Sequence, residues 1–157
     1  MVLSLTLLGL LSISVMPYMV DASTLHIHNN CPHRISAVWT GNNGRLPFEL
    51  CGLNHGQRCT RNMRNGDGGN LKNGFQGQTL AEFMFHANDK DWYDLSVVVG
   101  YDTPMQIVPK NCNGCPGNCY AVTCRNARCP DAYLFWNDDT KTHCAAPGGS
   151  FDVTFCP

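Results

Sequence analysis

In "STLHIHN", Leu25 and Ile27 alternate with His26 and His28, the two-residue rhythm of a strand with one face buried. Comparable runs recur along the chain as "RISAVWTG" (34–41), "TLAEFMFH" (79–86), "DWYDLSVVVGY" (91–101), "MQIVP" (105–109), "DAYLFWN" (131–137) and "SFDVTFCP" (150–157). They are short, rich in β-branched and aromatic residues, and separated by Gly, Asn, Asp and Pro, with no long amphipathic helical period between them. This pattern predicts an all-β domain. The stretch from Gly41 to Gly74 is Gly- and Asn-rich and reads as hairpins and loops. Cys112 to Cys129 holds five cysteines in 18 residues and reads as a disulfide knot with little regular structure.

The opening run, "MVLSLTLLGLLSISVMPYMV", follows a different logic. It is almost wholly apolar, uncharged, and ends in Val20-Asp21-Ala22, with small residues at the two positions a signal peptidase reads. The expectation is removal of residues 1–22, leaving one domain over 23–157 in an oxidising, extracellular setting. An uncleaved anchor is the alternative, against which Pro17 and Asp21 interrupt the run. All ten cysteines lie after Ala22, an even number that predicts disulfides. "NCNGCPGNC" also has a zinc-like Cys-x2-Cys spacing, but no histidine follows at ligand spacing, so no metal and no cofactor are expected. His26-x-His28 could hold a metal, or could simply be the polar face of a sheet.

Charge changes the picture by its distribution. From Ser23 to Phe75 there are six basic residues against Glu49 and Asp67; from Gln76 onward there are nine acidic residues against five basic ones. The total is too balanced for nucleic-acid binding. Without a cationic amphipathic helix, stable membrane insertion is not expected either.

The acidic half contains one anomaly. Glu82 interrupts the apolar run "TLAEFMF". If "HANDK" is a turn symmetric about Asn88, Glu82 lies opposite Asp94, Phe83 opposite Tyr93 and Met84 opposite Trp92. Period-2 alternation then places Glu82 with Leu80 and Met84, away from Phe83 and Phe85. Like charges directly opposite destabilise a sheet and push their pKa values apart. One protonated and one ionised carboxyl is what glycoside chemistry requires. Two solvated acids, or acids paired with cations, would produce the same pattern without chemistry.

Five motifs then carry a resemblance: "NNCP" (29–32) followed by "AVWTG", "TLAEF" (79–83), "DWYDLSVVVGYDTPM" (91–105), "CPDAY" (129–133) and the terminal "FDVTFCP" (151–157). In this order they resemble the thaumatin-like proteins, pathogenesis-related family 5, in a small ten-cysteine form whose second, disulfide-rich domain is truncated to Cys112–Cys129. The resemblance implies a flattened antiparallel β-sandwich of Greek-key strands. It implies disulfides Cys31–Cys156, Cys112–Cys144, Cys115–Cys129 and Cys119–Cys124, leaving Cys51–Cys59. It also implies an acidic cleft in which Glu82, Asp94 and Asp131 match family positions. A further family aspartate is replaced by Val99. The family arginine lies in a rebuilt region where Lys72 is the nearest candidate, and one wall of the cleft is shortened.

Three functions follow as expectations for a secreted, monomeric defence protein. One is antifungal binding of β-1,3-glucan by an acidic face of Glu82, Asp94, Asp131 and Lys72, with Trp92, Tyr93, Tyr101 and Trp136 available for stacking. The second is inhibition of a microbial glycoside hydrolase, xylanase-type, through "HANDKD", whose His86 would sit at a titrating tip, or through 54–69. The third is weak endo-β-1,3-glucan hydrolysis with Glu82 as acid and Asp94 as nucleophile or base.

Overall fold

The computed structural model describes residues 22–157; apart from Ala22, the expected leader lies outside them. Among the described residues the fold is all β, with no helix. Its strands are β1 (Ser23–Asn29), β2 (Ile35–Gly41), β3 (Phe48–Leu53), β4 (Arg58–Met63), β5 (Gly68–Asn73), β6 (Leu80–Ala87), β7 (Lys90–Ser96), β8 (Met105–Pro109), β9 (Val122–Cys124), β10 (Ala132–Tyr133), β11 (His143–Ala145) and β12 (Ser150–Phe155). One sheet runs β4-β1-β12-β8-β9. The other runs β10-β7-β6-β5-β2-β3, with β11 also paired to β7.

Alternation places the core. In β1 the inward residues are Ser23, Leu25, Ile27 and Asn29, while His26 and His28 face outward. Phe151, Val153 and Phe155 of β12 and Phe83, Phe85 and Tyr93 of β6 and β7 are buried between the sheets. Phe151 meets Phe83 edge-on at 5.4 Å between ring centroids, and Phe83 stacks on Phe85 at 5.4 Å. Such contacts contribute beyond the apolar area they bury.

The expected sandwich is mixed rather than wholly antiparallel. β1 pairs with β12, and β10 with β7, in parallel. Parallel neighbours need a long crossover, and here nearly the whole domain connects β1 to β12. Cys31–Cys156 pins that pairing across a separation of 125 residues.

Several expected boundaries move. The loop-like stretch 41–74 contains β3, β4 and β5. β4 escapes notice in the sequence because it is an edge strand on which only Met63 is buried, so its other positions are polar. β7 stops at Ser96: Val98 and Val99 are exposed and Gly100 turns the chain with φ 130°, where a side chain would strike Gln78. Only Ala132 and Tyr133 of "DAYLFWN" pair with β7, leaving Leu134, Phe135 and Trp136 exposed.

The disulfides are Cys31–Cys156, Cys51–Cys59, Cys112–Cys119, Cys115–Cys144 and Cys124–Cys129. The three expected pairs Cys112–Cys144, Cys115–Cys129 and Cys119–Cys124 are therefore replaced. β11 brings Cys144 beside the 115–118 turn, where its N–H donates to the Asn118 carbonyl at 3.1 Å, so Cys115 is its neighbour. The remaining cysteines close short loops locally, with separations of 7 and 5 residues.

Candidate functional site

The hairpin β6–β7 builds the site, and its register is set by its turn. Ala87 faces Lys90 across a two-residue loop, Asn88-Asp89, with φ of 52° and 57°. Asn and Asp tolerate this left-handed conformation, and it matches the twist of a hairpin. A turn of that kind alone would slip the strands by one residue. The slip is absorbed by a bulge at His86, which also has positive φ (55°), between Met84 and Ala87. Buried Asp91 fixes the bulge: one carboxylate oxygen accepts from the His86 N–H at 2.8 Å and the other from Ser23 Oγ at 2.5 Å. Burial raises the Asp91 pKa, and these bonds oppose the rise. His86 thus sits at the turn end of β6, beside the tip that Asn88 and Asp89 form. Asp91, which the strand pattern did not single out, determines which face every side chain of the hairpin takes.

With the bulge in place, Glu82 lies opposite Asp94, Phe83 opposite Tyr93 and Met84 opposite Trp92, as the symmetric turn predicted. The row continues across the sheet: Asn70 of β5 is opposite Glu82, and Thr40 of β2 is opposite Asn70. Glu82 and Asp94 lie directly opposite one another and perturb each other's titration, and Ser96 lies with them in the larger groove. Asp94 is held mainly protonated, its pKa pushed up to about 8 by burial first and by the charge of Glu82 second. Burial also raises Glu82, against the opposing effect of Asp94 and Ser96. The pair therefore shares a proton, with Asp94 as its holder, the reverse of the expected division of roles.

The dyad lines two adjoining grooves. The larger, about 440 Å³, is completed by Leu80, Ser96, Val98, Val99, Tyr133 and Trp136. The smaller, about 270 Å³, adds Asn42, Gly69, Met84, Trp92 and Thr142. Three buried oxygens of the row, Thr40 Oγ1, Asn70 Oδ1 and Asp94 Oδ1, have no hydrogen-bond partner among the described residues.

The remaining expected site residues divide. Asp131 turns its carboxylate to the Thr123 N–H at 3.0 Å, tying β10 to β9, and lines neither groove. Lys72 lies two residues along β5 from Asn70 and lines neither groove. Of the stacking candidates, Trp136 is 83% exposed and Trp92 is half-buried, its Nε1–H donating to the Ala87 carbonyl. Tyr93 is buried in the core, its hydroxyl donating to the Tyr120 carbonyl at 2.8 Å, and is not available to a ligand. Tyr101 lines neither groove. The sequence gives no sign of Asn70 because β5 reads as loop, and Thr40, on a strand the pattern does predict, shows no link to Glu82 without Asn70 between them; nothing in the pattern marks Tyr133.

Comparison with known proteins gives a family match, two sequence relatives and two structural neighbours. The profile of the Thaumatin family matches residues 39–127. A thaumatin-like pathogenesis-related protein 4 from Avena sativa is 32% identical over the full length of both chains. A thaumatin-like protein from Oryza sativa subsp. japonica is 46% identical over 79 residues, covering 50% of this chain and 40% of its own. Among solved structures, the thaumatin-like xylanase inhibitor TLXI superposes with a TM-score of 0.63 at 15% identity, over 85% of this chain and 99% of its own. The protein elicitor MoHrip2 from Magnaporthe oryzae gives 0.62 at 19% identity, over 87% of this chain and all of its own. At these identities the structural matches speak to fold.

Proposed function

This chain belongs to the thaumatin family, and from that premise we propose that it is a secreted defence protein that binds a neutral cell-wall polysaccharide, β-1,3-glucan, through the Glu82–Asp94 dyad. The observation that carries the reading is the half-buried polar row Thr40–Asn70–Glu82–Asp94, whose two carboxyls line both grooves. A polyhydroxylated chain lying across β5, β6 and β7 supplies O–H donors along such a row. Trp136 and Tyr133 at the groove wall offer ring faces to the apolar side of a pyranose. Ionised Glu82 accepts from sugar hydroxyls, while protonated Asp94 keeps the site from carrying two adjacent negative charges.

Pull-down on insoluble β-1,3-glucan tests this reading. The oxidised protein is expected in the pellet, and Trp136→Ala mostly in solution. Wild-type protein that stays in solution refutes glucan binding. A second reading, inhibition of a microbial glycoside hydrolase, is favoured by the exposed Leu134-Phe135-Trp136 loop and by the likeness to a xylanase inhibitor. It predicts loss of xylanase activity at excess protein, and unaltered hydrolysis removes it.

A further inference from the structure

The basic first half of the chain, which the acidic groove does not use, comes together at the opposite edge of the fold. There β3 and β4, edge strands of the two sheets, approach and are joined by Cys51–Cys59. Between them opens a groove of about 190 Å³ lined by Arg45, Arg61 and Arg64, with Phe48 supplying aromatic surface over buried Trp39 and Asp67 the one carboxylate. Asp67 is already engaged, accepting from the Arg64 backbone N–H at 2.9 Å. Arg61 is partly engaged, its guanidinium donating to the Leu50 and Thr60 carbonyls, which fixes it across the seam. Arg45 and Arg64 are exposed and have no ion-pair partner among the described residues; the only arginine ion pair there is Arg34–Glu49. Phe48 is 48% exposed beside them.

We propose that this groove is a second binding site, for a carboxylated sugar of a polyuronate chain. Its volume lies below the about 300–1,000 Å³ of pockets that enclose a whole small ligand, so it admits one ring of a longer polymer. Guanidinium groups recognise carboxylates through paired, charge-assisted hydrogen bonds, which a neutral sugar cannot form. The exposed Phe48 ring in the same groove offers a surface for the ring's C–H face. A uronate ring presents both features at once, an apolar face and a carboxylate at its edge. An acidic protein would supply the carboxylate but would rest on a broad contact of about 800 Å² rather than on a slot one ring wide. The inference does not depend on the glucan reading, because no residue of this groove belongs to the dyad.

The test is calorimetric titration of the oxidised full chain with an oligogalacturonate, beside the same oligomer with its carboxyls reduced to alcohols and beside polyglutamate. At low salt the uronate is expected to bind about tenfold more tightly than the reduced oligomer, the scale of one lost charge-assisted contact. Arg45→Ala with Arg64→Ala should lower that affinity about tenfold or more, and added salt should weaken it. Both residues are exposed, so the variant is expected to unfold with wild-type, and Glu82→Gln should bind uronate as wild-type does. Equal binding of the reduced oligomer, undiminished binding by the folded double variant, or polyglutamate binding as tightly as the uronate would overturn the proposal.

Discussion

Replacing Asp94 with Asn removes the titration of the dyad while keeping the shape of the side chain. The Asp94 pKa is raised from an ordinary carboxyl value to about 8 by burial and by Glu82. The folded state therefore binds a proton that the unfolded state has released throughout the interval between about pH 4 and pH 8. For a carboxyl whose pKa is raised on folding, stability is fully present below the unfolded pKa and is lost as pH rises towards the folded one. The slope for one such proton is about 1.4 kcal/mol per pH unit, and its integral over the whole interval is about 6 kcal/mol as an upper bound. Glu82 shares the proton and some solvent reaches the grooves, so a loss of about 2–3 kcal/mol is the working expectation. The amide introduced by Asp94→Asn has no proton to release. Guanidinium unfolding of both proteins, disulfides intact, from pH 4 to pH 9 provides the assay. The wild type should lose stability relative to Asp94→Asn as pH rises, and the two curves should separate most above pH 7. Parallel curves across this range would refute the shared-proton dyad.

Other consequences follow from the same structure. Cys31→Ser with Cys156→Ser opens a loop of 125 residues and should lower stability by about 5 kcal/mol, against about 2.5 kcal/mol for Cys51→Ser with Cys59→Ser, whose separation is 8; thermal unfolding of the two variants compares them. Asp91→Ala orphans the Ser23 hydroxyl and the His86 N–H in a buried setting, and should cost about 2–3 kcal/mol and weaken hydrogen-exchange protection at the turn end of β6 and β7. Asp131→Ala should destabilise by about 1–2 kcal/mol through the Thr123 N–H and leave glucan retention unchanged, whereas Trp136→Ala should do the opposite, changing stability by less than about 0.5 kcal/mol.

The chain made some of this legible before folding and concealed the rest for identifiable reasons. Alternation exposed β1, β6, β7 and β12 because each buries one face, and burial is what period 2 records. The Glu82–Asp94 pairing followed from turn symmetry, although the structure reaches it through a bulge at His86 that compensates for a shorter turn. β4 was invisible because an edge strand held by a disulfide and one buried methionine needs little apolar sequence. Asp131 matched a family position, yet its carboxylate is taken up by a backbone N–H, which no motif reveals. The three replaced disulfides within 112–144 reflect distances set by β11 docking on β7, a tertiary event that cysteine spacing does not encode. The basic half of the chain was visible as a count, but only the meeting of β3 and β4 turned Arg45, Arg61 and Arg64 into one groove.

The central claim is that Glu82 is an ionised acceptor in a recognition row rather than a catalytic acid. Titration of wild type and Glu82→Gln with a soluble β-1,3-glucan oligomer, with reducing ends assayed in the same samples, tests it most directly. The expected result is binding by the wild type, at least about tenfold weaker binding by the variant, as for loss of a charge-assisted hydrogen bond, and no new reducing ends from either. Undiminished binding by Glu82→Gln, or hydrolysis by the wild type that the variant abolishes, would contradict it.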